Sequence, residues 1–536
     1  MKKICKYVLL ALAAVLAISS CGTAGETQVE VETVPHEQVE QLLSNVITPN
    51  DPQDNARDAV INGKLYKAET TELDLNSMEL SDIKPLSSLT NLKKLDLSSN
   101  LITDLSPLSA LEKLEELHLN GNLIENVSPL GSLKNLKKLY IGVNNIDDLS
   151  PLGSLSALET LSIPQLDVSN ISFLSGMKGL KELDISVNSA VSDLSPIGEA
   201  TRLRRLDLNQ VSAPEDYSFL NNLHDLTFLD IRDNPGLSEV SWLSGMRRLE
   251  QFYISTMADV DFSPLKDHNE LTVLEINAEH FTQENVEMLS SMKKLKRLVI
   301  RHSECTDVEP ISHLTELEEL CVTSTQATDF SSLSALTKLK KLDLAYSYAK
   351  SLSFLDSLTE IEDLDLSGQE IDSWKHVKAL PKLKRLVIRA ILTNSYDEIG
   401  EMTGLTELDI SMITKNEKQM RFLSQLVNLQ TLNVSHNRIR KDAVFENMDK
   451  LETLIISSNI LEEPVYIPQL PSLKHLDISY NKLTDLGELA HMEGLEYVNI
   501  TGNRLSDKQI SDFLSEINCA VEYRETEFDT EETHEQ

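Results

Sequence analysis

Basic charge is scarce in this chain of 536 residues: 49 Lys and Arg stand against 85 Asp and Glu, giving a formal net charge of −36. Nucleic-acid phosphates require clustered cations, so this acidic excess argues against DNA or RNA as a partner. It argues equally against adhesion to anionic lipid by charge, and favours a partner that is cationic or held by apolar and hydrogen-bonding contacts. Cysteine is sparse too, at five residues, with no paired Cys or Cys/His spacing suited to a metal. Cys305 falls on a core position and Cys321 on an outward one, so their side chains point apart and no disulfide is expected. The twelve histidines are dispersed, and HExxH, Gly-Xaa-Ser-Xaa-Gly and Gly-rich phosphate loops are all missing. The expectation is a protein that is not an enzyme and takes no cofactor. Beyond residues 7–18 no apolar run approaches the length of a membrane span.

What the chain does have is leucine at a fixed period. Leu92, Leu95, Leu97, Asn100 and Ile102 are answered 22 residues later by Leu114, Leu117, Leu119, Asn122 and Ile124, then by Leu136, Leu139, Ile141, Asn144 and Ile146. A unit this small cannot close a core alone and must bury its leucines against identical units on either side. The alternation Leu95/Leu97 predicts a short strand, and Pro107, Pro129 and Pro151 favour a tight or 3₁₀ return over a long helix. Extending the frame from Thr70 to Leu495 gives twenty coils with steps of 22 to 24 residues. The Asn amide suits a turn in which inward backbone groups of successive coils would otherwise go unpaired. Between Met257 and Ile413 other residues fill that place. There the stack is expected to rely on apolar packing and to be looser or differently curved.

These residues resemble the leucine-rich repeat family, and the form Asn-Xaa-Ile-Xaa-Asp-Leu-Ser-Pro-Leu at 100–108 and 144–152 is similar to the bacterial internalin-type subclass. The resemblance implies an α/β fold: a leucine-rich repeat solenoid, horseshoe or arc, with a parallel β-sheet on the concave face, and 3₁₀ turns and short helices on the convex one. It further implies binding of proteins or other macromolecules on the concave face, without naming the ligand. Internalin-like proteins often carry wall-anchoring or immunoglobulin-like modules after the repeats; their absence from this sequence counts against host-cell invasion.

The N-terminus carries a second signal. Lys2, Lys3 and Lys6 precede the apolar stretch 7–18, which reads as a secretory signal, and Ile18-Ser19-Ser20-Cys21 resembles a bacterial lipobox. That resemblance implies a lipidated Cys21 as first residue of the mature protein; the alternative is an ordinary signal peptide with an incidental cysteine. Loss of the three lysines takes the net charge from −36 to −39. The predicted organisation is a signal peptide over 1–20, a flexible acidic tether over 21–35, a helical N-terminal cap over 36–69, repeats over 70–505, a C-terminal cap over 506–524 and a disordered acidic tail over 525–536. Within the caps, 54–61 is expected to be helical, and Ser506 to start a helix with Ile510, Phe513, Leu514 and Ile517 on one face. Two long coils, 282–292 and 415–426, are expected to hold helices.

Function, if legible, lies in the outward strand positions. One column alternates in sign, Lys93, Glu115, Lys137, Glu159 and Lys181, and again Lys296, Glu318, Lys340, Glu362 and Lys384. With strands about 4.8 Å apart these charges pair laterally, a device that sets register and solubility more readily than it makes a site. The column lapses at Thr227, Glu250 and Thr272, and nearby outward positions hold Phe228, Tyr253, Val273, Val299, Arg301, His302 and Cys321. Exposed aromatic and aliphatic residues beside an Arg are hot-spot chemistry, so this patch is the candidate ligand site. The competing readings are scattered surface hydrophobes or burial beneath a loop. Asp184, Asp207 and Asp230 stand in successive coils, where a cation could bridge them; solvated carboxylates balanced by Arg205 and Arg232 are the plainer reading. The expected protein is thus lipid-anchored, faces the outside of a bacterial membrane and binds a macromolecule. The alternatives are a structural envelope protein without a defined ligand, or a host-facing adhesin.

Overall fold

The computed structural model describes residues 57–211, 216–415 and 418–523. The signal peptide, Cys21, the tether, residues 36–56 of the predicted cap and the tail 525–536 lie outside the described residues. The chain divides into two compact units, Met1–Thr256 and Met257–Gln536.

Both units are built from the expected repeat. Its strand is three residues long in Lys94–Asp96, Glu116–His118 and Lys138–Tyr140, and these pair in parallel with Leu95, Leu117 and Leu139 side by side. Those leucines and their partners Leu97, Leu119 and Ile141 are fully buried. Burying a leucine stabilises by about 1.5–3 kcal/mol, and here each does so only against the next coil. Among the described residues, nine strands from Glu72–Asp74 to Gln251–Thr256 form an open parallel ladder in the first unit. Twelve, from Val273–Ala278 to Ala520–Glu522, form another in the second.

After most strands the backbone turns through one residue in the left-handed region. Ser99, Val143, Val187 and Gln210 in the first unit, and Ser324, Tyr346, Met412 and Tyr480 in the second, all have φ between 53° and 61°. The buried asparagine follows. Asn122 Nδ2 donates to the carbonyls of Leu97 and Leu119 and its Oδ1 accepts from Ile102 N–H, each at 3.0 Å. Asn144 repeats this with Leu119, Ile141 and Ile124. The return is a 3₁₀ turn, as in Ser106–Ala110, Ser128–Ser132 and Ser150–Ser154, each with proline in its first turn, where a missing N–H costs nothing. Asp104 and Asp148 fix the entrances by accepting from Ser106 and Ser150 N–H at 2.8 Å.

The structure corrects two expectations along the chain and adds detail to a third. In the stretch from Met257 to Ile413, part of the asparagine network survives by substitution. Ser347 Oγ donates to Val322 O at 2.9 Å, while Gln369 donates to Leu344 O at 2.6 Å and accepts from Ala349 N–H at 3.0 Å. The end of 54–61 is not helical: Ala59–Ile61 pairs antiparallel with Lys64–Tyr66 across Asn62-Gly63, whose φ values of 50° and 78° belong to a tight hairpin turn that helix periodicity does not register. Among the described residues of 415–426 there is the usual 3₁₀ turn, Arg421–Gln425, and not a helix, because the buried pair Met420/Leu423 has the i, i+3 spacing that this turn shares with a helix. Residues 282–292 do hold a helix, Gln283–Leu289, and a one-turn helix at Lys375–Lys378 comes in addition to those expected.

At the C-terminal end Ser506 and Gln509 form a capping box for the helix Asp507–Glu516, whose Phe513 is buried. The strand Ala520–Glu522 then pairs with Tyr497–Asn499. Among the described residues no helix is long and apolar enough to cross a membrane.

Candidate ligand-binding face of the sheet

With the leucines turned inward, alternate strand residues form columns on the opposite face of each ladder. The alternating column pairs as its signs require: Lys137 to Glu115 at 2.5 Å and Lys181 to Glu159 at 2.7 Å in the first unit, Lys340 to Glu318 at 2.6 Å and Lys384 to Glu362 at 2.7 Å in the second. Hydrogen bonds from these lysines hold the Glu115, Glu159, Glu318 and Glu362 carboxyls below their ordinary range. One position along runs a second charged column that sequence alternation does not single out. Glu116 takes Lys94 at 2.9 Å and Lys138 at 3.3 Å, and Arg385 bridges Asp363 at 2.8 Å and Glu407 at 2.7 Å. The strand limits place these residues outward and in register, information that the leucine frame contains but that the first column obscures.

The candidate patch falls in both units. In the first, Phe228 and Tyr253 are half-buried on neighbouring strands with ring centroids 5.5 Å apart. Neither ring is bare. The Arg205 guanidinium lies 3.4 Å from the Phe228 centroid and that of Arg232 lies 5.0 Å from Tyr253. A second aromatic pair, hidden in the sequence because its members are His and Tyr in columns otherwise polar, is His118 stacked on Tyr140 at 4.4 Å.

In the second unit the patch differs from expectation. Val273 is half-buried and His302 exposed, but Val299 is only 3% and Cys321 only 7% exposed. Val299 stands between its register partners Glu275 and Cys321. Arg301 folds back to Glu275 at 3.3 Å, and Arg297 meets the same carboxylate at 3.1 Å. Charge pairing across the sheet thus covers the aliphatic residue that sequence alternation alone would expose. Cys321 donates to Asp343 Oδ2 at 3.3 Å, and burial, with Asp343 beside it, pushes its thiol up to about 12. Cys305, Cys321 and Cys519 are free thiols.

Asp184, Asp207 and Asp230 are register partners in one row. The outer two are held locally: Asp184 accepts from Ser162 at 2.9 Å and Ser186 at 2.7 Å, and Asp230 takes a forked Arg232 with a closest contact of 2.6 Å. Asp207 has Arg205 only at 3.9 Å. Burial, then repulsion from Asp184 and Asp230, pushes its carboxyl up to about 7. Among the described residues no group of His, Cys, Asp and Glu has the arrangement of a metal site. Cys21 lies outside the described residues.

Residues 71–310 match a family model described as a leucine-rich repeat region, and 471–515 match one described as leucine-rich repeats in two copies. Comparison with curated proteins gives no match. Among solved structures the chain is similar to TLR13 in its complex with ssRNA13, at 21% identity over 84% of this chain and 71% of that one, with a TM-score of 0.50. It is also similar to the leucine-rich repeat ectodomain of the Arabidopsis thaliana receptor kinase GASSHO1/SCHENGEN3, at 20% identity over 84% of this chain, with a TM-score of 0.48; the chain spans 62% of that ectodomain. An internalin from Listeria monocytogenes shares 22% identity over 74% of this chain and 91% of its own, with a TM-score of 0.33. At these identities the likeness is one of fold.

Proposed function

We propose that the chain, a leucine-rich repeat protein, binds another macromolecule, in the first place a protein, through the outward face of its sheet. In this reading Cys21 carries a lipid that holds the protein on the outside of a bacterial membrane. The observation that carries the binding reading is the Phe228/Tyr253 pair. Two aromatic rings stand together where the alternating ion-pair column lapses at Thr227 and Glu250, and each ring has an Arg beside it. Aromatic and Arg side chains concentrate binding energy at protein interfaces, whereas the exposed ion-pair columns contribute little. The acidic surface adds a preference for a partner with a basic contact region.

The test is a pull-down with residues 27–536 from envelope extracts and candidate host surface proteins, beside the Phe228→Ala/Tyr253→Ala double variant. A partner captured by the parent and lost by the variant supports the reading. Capture unaffected by the variant removes this patch from consideration, and no saturable partner at all favours the structural envelope role. The anchor is tested separately: Cys21→Ser is expected to move the protein from the membrane to the soluble fraction.

A further inference from the structure

A groove of about 280 Å³ opens on the sheet face of the second unit, where the strands give way to the left-handed turns, lined by His302, Thr323, Ser324, Tyr346, Asp365 and Arg389 among others. Tyr346 supplies a phenol ring to its wall. The residue is 49% exposed, and its ring is seated on Gly368: a Cβ there would lie 2.5 Å from the Tyr346 ring. Gly368 itself has a φ of 71°, so glycine serves both the turn and the close approach of the ring. The ring is therefore held against backbone on one side while it lines the groove.

Hydrogen-bonding capacity remains around the ring. Asp365 Oδ1 accepts from Ser367 N–H at 2.8 Å and its hydroxyl at 2.6 Å, while Oδ2 has no hydrogen-bond partner among the described residues. Arg389 donates through Nε to Asp409 at 2.7 Å, which leaves its two terminal NH₂ groups to donate elsewhere. The hydroxyls of Thr323 and Ser324 can both donate and accept. An apolar ligand would leave these groups unpaired. An anion would meet Asp365 and Asp409 against the single cation of Arg389. A neutral pyranose supplies what both halves require: a flat C–H face for the ring, and hydroxyls that donate to Asp365 and accept from Arg389.

We propose that this groove is a saccharide site that takes a neutral or N-acetylated hexopyranose, stacked on Tyr346 and hydrogen-bonded by Asp365 and Arg389. It does not rest on the protein-binding reading, whose carrying pair Phe228 and Tyr253 belongs to the other unit, although His302 is common to the groove and the candidate patch. The experiment is titration of the full chain with cellotetraose, maltotetraose and chitotetraose, followed by calorimetry and saturation-transfer NMR. At least one is expected to bind saturably with a Kd of roughly 0.1–10 mM, with transfer strongest at the C–H protons of one sugar. Tyr346→Ala and Asp365→Asn should each weaken it tenfold or more while circular dichroism and melting are retained. Tyr480 is the control, because its ring is seated on Gly502 in the same manner, 2.6 Å from a Cβ built there; Tyr480→Ala should leave affinity unchanged. No binding by any of the three sugars at about 10 mM, or binding that survives Tyr346→Ala or is lost equally in Tyr480→Ala, would overturn the proposal.

Discussion

Arg205 places its guanidinium 3.4 Å from the centre of the Phe228 ring, its register partner on the next strand. The contact explains why an aromatic residue can stand on the sheet face without forming a bare apolar patch. A cation over a ring at a half-exposed site contributes about 0.5–1 kcal/mol, so Arg205→Ala is expected to lower stability by that amount in urea denaturation. Arg205→Lys should recover only part of it, because an ammonium cannot lie flat on the ring as a guanidinium does. An unchanged midpoint in Arg205→Ala would mean that the stack contributes nothing to the fold.

The asparagine column predicts a much larger effect. Asn144→Ala strands the carbonyl of Ile141 and the N–H of Ile124 in the buried turn, whereas the Leu119 carbonyl keeps Asn122. Leaving a buried polar group unpaired costs about 1–3 kcal/mol, so a loss of roughly 2–4 kcal/mol is expected. Because each coil contacts only its neighbours, the damage should be local. Hydrogen exchange should show loss of protection concentrated in the coils around Asn144, and a uniform loss across the first unit would contradict the prediction.

Most of this architecture is legible in the leucine period, because one buried face repeated every 22 residues admits few other packings. The paired column from Glu115 to Lys181 is legible for the same reason: its signs alternate in a fixed frame. What escapes depends on atoms beyond the frame. Val299 looks exposed by alternation, yet Arg297 and Arg301 converge on Glu275 beside it, and no periodicity encodes where a long side chain folds. The hairpin at 59–66 hides behind helical spacing, and its signal is the Asn62-Gly63 turn, which periodicity ignores. The seat of Tyr346 on Gly368 needs the three-dimensional register of two coils, which sequence spacing suggests only after the left-handed column is known.

That left-handed column makes a prediction of the opposite sign. Val187 and Val143 hold φ values of 57° and 55°, where a β-branched side chain crowds its own backbone. The left-handed conformation costs an L-residue roughly 1–2 kcal/mol, and the entropy lost by a glycine is about 0.5–1 kcal/mol. Val187 is 40% exposed, so little packing is lost with its side chain. Val187→Gly is therefore expected to stabilise the first unit by about 0.5–1 kcal/mol. A destabilisation of similar size would show that Val187 makes packing contacts that outweigh its backbone strain.

Asp207 gives the protein a pH dependence whose sign can be stated. Burial, and then Asp184 and Asp230, raise its carboxyl to about 7 in the folded state, against an ordinary value of 3.8. Between those values the folded chain keeps a proton that the unfolded chain has released, so stability falls as pH rises from about 4 to about 7 and is level above. Each tenfold change in proton affinity corresponds to about 1.4 kcal/mol, which bounds the whole effect at about 4 kcal/mol. Asp207→Asn should remove the slope, matching the parent near pH 4 and exceeding it at pH 8. Other acids cancel in the difference between parent and variant. Glu116 is one: burial opposes its ionisation, but hydrogen bonds from His118, Lys94 and Lys138 outweigh it and lower its carboxyl to about 2. Parallel pH profiles for parent and variant would mean that Arg205 and Arg232 already neutralise the row. If instead the slope is lost, a ligand Lys or Arg docked on the row would pull the Asp207 proton off, and a basic partner bound there should gain affinity as pH rises through about 7.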